Sequence, residues 1–163
     1  MKKILIFLII LVMITGCQSR KSEETIDEQL YQQYQTYNKK VKNHQQFDSE
    51  ISECSVRLIL NRTNNDHIRY DIIIDQPQTT MKNIKAIAYV ENEDHYNSPS
   101  IGLLENESFT LKPNVIDKEQ GIYKGINLSG ITSLKEITVK VYLTYEKQNK
   151  TIERYIILHE NAS

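Results

Sequence analysis

Tryptophan is missing from the 163 residues, and cysteine occurs only twice, proline three times and glycine five times. With so few glycines the chain has no glycine-rich loop to cradle a phosphate and no Gly-x-Ser-x-Gly turn to expose a nucleophilic serine. The four histidines, His44, His67, His95 and His159, are scattered, with no His-x-x-x-His or Cys-x-x-Cys spacing. Zinc needs about four borderline or soft ligands held close together, so no metal site and no cofactor are expected. Charge of one sign is also lacking, since 20 Lys and Arg stand against 21 Asp and Glu. No global field would draw the protein onto a polyanion, and nucleic acid is not an expected partner.

What is present begins at the N-terminus. Met1-Lys2-Lys3 is basic, Ile4 to Ile14 is an unbroken run of 11 apolar residues, and Ile14-Thr15-Gly16-Cys17 ends it. As a helix that run reaches about 17 Å, short of a hydrocarbon core about 30 Å thick, so it is not a comfortable permanent span. A basic start, a short apolar segment and small residues before a cut are the parts of a secretory signal. The segment resembles the lipobox of bacterial lipoproteins, with Ile14 in place of the commoner Leu. The resemblance implies a diacylglyceryl group on the Cys17 sulfur, cleavage after Gly16, and Cys17 as the first mature residue. It places the chain on the extracytoplasmic face of a cell membrane, lipid-anchored. Two long acyl chains, each worth about 0.8 kcal/mol per buried CH₂, anchor where one only dwells. Abundant Ile (23), Lys (15) and Asn (13) beside three Ala is the bias of an AT-rich genome, in keeping with a Gram-positive-type bacterium.

Residues 17–50 read as a polar helical tether between a signal peptide at 1–16 and a domain at 51–163. The tether has no Gly or Pro and is crowded with Gln, Glu, Lys, Ser and Tyr. Thr25 with Glu28 fits a capping box, and Lys39, Lys40 and Lys42 suit the far end of the helix dipole. A helix from about Ile26 to Asn43 is predicted, with Ile26, Leu30, Tyr34, Tyr37 and Val41 in one narrow stripe. That stripe suits docking on the domain, lying on headgroups or pairing with another helix. The composition favours a solvated spacer that lifts a separately folding domain from the bilayer.

From Ser52 the apolar period falls from 3.6 to 2, the mark of strands. Val56, Leu58 and Leu60 alternate in a first strand, Ile68 to Ile74 in a second and Ile84 to Val90 in a third. Shorter strands are expected at 109–112 and 122–128. The clearest pair runs from Ile137 to Tyr145, turns at Lys147-Gln148-Asn149-Lys150, and returns from Ile152 to Leu158. Seven strands in about 110 residues predict an all-β fold, an antiparallel β-sandwich. By strand count and spacing it resembles the immunoglobulin or fibronectin type III class. No Cys…Trp…Cys pattern is present, so the antibody-type core is excluded. A small closed barrel is the structural alternative.

With Cys17 committed to lipid, Cys54 has no disulfide partner, and its parity with Val56 and Leu58 makes it a small core hydrophobe. Glu91, Glu93, Asp94 and His95 form an acidic loop, but the glycine-turned ligand spacing of a calcium loop is absent. Tyrosine is the more informative residue: eight of ten lie at or beyond Tyr37, and Tyr is both a strand former and an anchor at binding surfaces. Around Gln148-Asn149, residues whose numbers sum to 297 should stand opposite. Val141 then meets Ile156 and Val139 meets Leu158 in the core, while Tyr142 meets Tyr155 on the other face. Tyr142, Tyr155, Lys140 and Thr144 form the candidate binding face. The expected function is a non-enzymatic, lipid-anchored binding module with a protein partner in the envelope. The alternatives are a tethered carrier for a small ligand or metal ion and, third, a hydrolase with carboxylate chemistry.

Overall fold

The computed structural model describes residues 20–63, 67–93 and 98–162. One long helix, α1 (Arg20–Asn43), precedes the strands. It ends where expected, with the His44 amide donating to the Lys40 carbonyl at 3.1 Å. It begins earlier than Ile26, so Thr25 lies inside it and does not cap it. The Gly- and Pro-free sequence leaves nothing to stop the helix sooner.

Nine strands follow among the described residues. β1 (Ser55–Arg62), β2 (Ile68–Asp75) and β7 (Gly125–Thr132) form a three-stranded antiparallel sheet in the order β1-β2-β7. β3 (Lys82–Val90), β4 (Ser100–Ile101), β8 (Glu136–Lys147) and β9 (Lys150–Asn161) form a four-stranded antiparallel sheet in the order β4-β3-β8-β9. β5 (Thr110–Leu111) and β6 (Ile122–Tyr123) make a small parallel pair, which divides the expected 122–128 strand in two. The chain crosses between the main sheets after β2, returns between β4 and β7 by way of the β5–β6 pair, and crosses again after β7, so β2–β7 and β3–β8 are neighbouring pairs made by strands distant in sequence.

The two sheets enclose one core. Tyr70, Ile72 and Ile74 from β2 and Ile126 and Leu128 from β7 face Ile84, Ala86 and Ala88 from β3 and Val139, Val141 and Leu143 from β8, all buried. Each fully buried branched side chain removes enough apolar surface to contribute about 1.5–3 kcal/mol. Two packed sheets, and not a closed barrel, thus satisfy the alternating pattern. Gly130 stands opposite Tyr70 in the β2–β7 register, and a Cβ there would occupy the space of the Tyr70 ring. The β8–β9 hairpin has the expected register, with Val141 opposite Ile156, Val139 opposite Leu158 and Tyr142 opposite Tyr155. Gln148 and Asn149 both take positive φ (52° and 60°), as a two-residue turn between right-twisted strands requires.

The solvated spacer gives way to a docked helix. α1 lies across β3 and β8 on the face of the four-stranded sheet away from the sandwich core, making a third layer. Residues after it stay attached: the Asp48 amide donates to the Tyr155 carbonyl at 2.9 Å and its carbonyl accepts from the Ile157 amide at 3.0 Å, along the edge of β9. The 26–41 stripe therefore serves as a packing face, from Tyr34 to Val41, and only Ile26 at its start is exposed.

Candidate functional site

The expected binding face is assembled by the β8–β9 register and the β3–β8 register together. Ile87, Tyr142 and Tyr155 form one cross-strand row, and Lys85, Thr144 and Glu153 form the next. The Tyr142 and Tyr155 rings stack with centroids 4.6 Å apart, a spacing at which aromatic pairs add stabilisation beyond area burial. The four residues named from sequence do come together, but they do not form an open surface. Tyr142 is 1% and Thr144 4% exposed, because α1 covers them.

The cover is specific. Tyr37 stands 4.8 Å from the Tyr142 ring, and its hydroxyl shares a 2.7 Å hydrogen bond with the Thr144 Oγ1. Lys40 Nζ donates to the Tyr142 hydroxyl at 2.8 Å and to Glu153 Oε1 at 2.9 Å. The Tyr34 hydroxyl accepts from the Ser98 amide at 2.6 Å and donates to the Ser98 carbonyl at 3.1 Å. Lys42 Nζ sits 4.9 Å from the Tyr89 ring centre. His44 lies flat on Tyr155, with centroids 3.5 Å apart, and Phe47 meets Tyr155 edge to face. Lys140 is held from two sides, 2.5 Å from Glu91 Oε1 and 5.1 Å from the Phe47 ring centre. Each of the three lysines thus supplies a cation to an aromatic face or a carboxylate.

The electrostatics follow from this packing. Burial, reinforced by the Glu153 carboxylate, pushes the Tyr142 phenol far above its ordinary value. Burial likewise raises Tyr37 and Tyr155. The Lys40 hydrogen bond holds Glu153 below its ordinary value against the opposing effect of burial, and Glu153 in turn raises Lys40. All of these groups keep their usual charge at neutral pH, which suits a permanent joint rather than a titrating site.

Among the described residues, the sheet face left to solvent is the outer face of β1-β2-β7. At its centre Arg69 donates to Asp71 Oδ1 through Nε at 3.2 Å and a terminal nitrogen at 2.9 Å, and Asn127 Nδ2 donates to the same oxygen at 2.8 Å. Burial opposes ionisation of Asp71, but these donors outweigh it and hold the carboxyl below its ordinary value. Exposed Ile59 and Ile131 (59% exposed) flank the network. No linear motif marks this face, since its residues come from three separate strands.

The other expected features resolve individually. Cys17 lies outside the described residues, as do Asp94 and His95 of the acidic loop. Glu91 pairs with Lys140, and Glu93 accepts from the Thr132 hydroxyl. Among the described residues no group of three or more His, Cys, Asp or Glu is placed to hold a metal ion. Cys54 is buried, and burial pushes its thiol up to about 12, with Glu53 and Asp75 adding to the effect. Among the described residues, two of the surface clefts lie beside these elements. One of about 490 Å³ runs between α1 and the 102–108 loop, and one of about 680 Å³ brings Asp75 near Lys112 and Lys124. Sequence reasoning missed these clefts because each forms where a loop, which carries no period, meets elements distant in sequence.

Comparison with known proteins bears on the first segment. Residues 1–18 match the prokaryotic membrane lipoprotein lipid attachment site. No curated protein matches the chain. A crystal structure of a protein from Archaeoglobus fulgidus aligns over 67% of this chain and 94% of its own, at 11% identity and a TM-score of 0.37. No helix among the described residues is long and apolar enough to cross a membrane. The attachment site with Cys17 at its modified position therefore supports a membrane-anchored bacterial lipoprotein carrying a helix-covered β-sandwich.

Proposed function

We propose that this lipoprotein is a non-catalytic interaction module on the extracytoplasmic face of the cell membrane, holding an envelope protein on the outer face of β1-β2-β7. The observation that carries the reading is the placement of α1. It occupies the aromatic face of the four-stranded sheet with its own side chains, which leaves the three-stranded sheet as the sheet surface open to a partner. That surface has the mixed character of a protein contact, with Ile59 and Ile131 as apolar points around the Arg69–Asp71–Asn127 network. A diacylglyceryl chain on Cys17 supplies the anchor. The finer likeness to immunoglobulin or fibronectin type III sandwiches is supported by the three-plus-four strand division and the crossings between the two sheets.

The test is a photo-crosslinking residue at Ile131 in intact cells, followed by identification of the adduct. The reading expects one protein adduct, lost when Asp71→Asn and Ile59→Glu are combined in a chain that still folds. A folded chain with no adduct from this face, or the same adduct after those changes, would remove the face from consideration.

A further inference from the structure

The distance between the lipid and the fold is set by very little chain. Cys17 and Arg20 are three residues apart, so the first described residue of α1 stands no more than about 10 Å from the lipidated one. From there α1 is continuous to Asn43. Its contact with the sandwich starts near Leu30, which lines the cleft beside the 102–108 loop. The stem from Arg20 to Leu30 adds about 15 Å.

The direction of the helix follows from its contacts. Gln33 Oε1 accepts from Lys85 Nζ at 3.0 Å, Tyr37 bonds Thr144, and Lys42 covers Tyr89. β3 runs from Lys82 to Val90, so α1 runs the same way, and its N-terminus overhangs the end where β3 begins and β8 turns into β9. The outer side of the helix bears exposed Asp27, Glu28, Gln32, Gln35 and Lys39. A helix lying in headgroups buries an apolar face. The apolar face of α1 is already used on its own sheet through Tyr34, Tyr37 and Val41. Of the six large apolar side chains exposed among the described residues, Ile26 and Tyr31 lie on the N-terminal half of α1, and Leu104 and Ile116 lie at this same end.

We propose that α1 is a short rigid post that stands the sandwich upright on the lipid surface, with the β8–β9 turn and the 102–108 loop facing the bilayer and the Lys135 end outermost. The apolar side chains then sit nearest the membrane, and the outer face of β1-β2-β7 stands perpendicular to it, open to a laterally approaching protein. The orientation rests on lipidation at Cys17 and not on the identity or existence of a partner.

The lipidated full chain, reconstituted in phosphatidylglycerol–phosphatidylcholine vesicles with an energy-transfer acceptor in the headgroups, provides the test. A donor is placed on Lys150→Cys or on Lys135→Cys; buried Cys54, with its raised thiol, stays unlabelled. The 12 residues of β8 separate the two ends by about 36 Å. The expected result is severalfold stronger transfer from position 150 than from position 135. Equal transfer, or stronger transfer from position 135, overturns the upright post. Glu28→Pro breaks the stem ahead of the docked part and should collapse the difference between the two positions. A difference that survives this change would show that α1 is not the post. Failure of the wild-type chain to float with the vesicles would remove the anchor and the orientation together, whereas a missing crosslinked partner would leave both standing.

Discussion

Tyr37 and Thr144, 107 residues apart in the chain, share a 2.7 Å hydrogen bond between their hydroxyls. This bond closes the helix onto the sheet at a point where Thr144 is buried and Tyr37 partly so. The joint it belongs to makes residues before the sandwich part of the folded unit. A chain beginning at Gln46, without α1, should therefore expose Ile87, Leu103 and Tyr142 and unfold at a lower denaturant midpoint. Urea unfolding followed by circular dichroism measures this, and an unchanged midpoint would mean that α1 is a mere spacer.

A single residue tests the same joint more gently. Val41 is fully buried between helix and sheet. Val41→Ala should cost about 1–2 kcal/mol, from lost transfer energy plus the space left behind. The same change at exposed Gln35 should cost almost nothing.

Glu53 and Arg154 form an ion pair at the other margin of the four-stranded sheet, with Glu53 largely buried. The Arg154 hydrogen bond holds Glu53 below its ordinary value of 4.5, while burial opposes it. A carboxyl lowered in the folded state contributes stability that is present above its ordinary value and is lost as pH falls through the lowered one. Stability should thus decline as the pH drops below about 4.5, and Glu53→Gln should remove that part of the decline. Arg154→Met leaves the carboxylate buried without its partner, at a cost on the order of 2 kcal/mol at neutral pH. Acidification should then narrow the gap to wild type, since protonation relieves the unpaired charge; a gap that widens would contradict this account.

Gly130 is required by its neighbour rather than by its own backbone, as the Tyr70 ring fills the space of a Cβ. Gly130→Val should destabilise by about 1–3 kcal/mol through overpacking. Tyr70→Leu in the same chain should recover part of the loss, and a double-mutant cycle reads the coupling.

The β8–β9 turn points the other way. Gln148 and Asn149 hold positive φ, where a side chain costs about 1 kcal/mol. Replacing the pair by Asn-Gly should raise the thermal midpoint without moving the register, which amide exchange along β8 and β9 would follow.

Local rules were enough for the parts of this protein that depend on one segment at a time. The short apolar run ending in Gly16-Cys17 marks the attachment site because signal recognition reads a linear string. The alternation from Ile137 to Leu158 is strict enough to set the hairpin register, since a one-residue slip would carry Val139 and Val141 out of the core. What α1 does was beyond such rules. The stripe through Tyr34, Tyr37 and Val41 is equally compatible with water, lipid or a sheet, and the choice depends on a face that exists only once β3, β8 and β9 are side by side. Tyr142 and Tyr155 show the same limit: their pairing is legible in the hairpin, but their burial is not, because period 2 says which side a residue faces and nothing about what lies there. Only tertiary packing decided that this side is filled by the chain's own helix, because hydrophobic and aromatic burial rewards whichever surfaces the fold brings into contact, however far apart they lie in sequence.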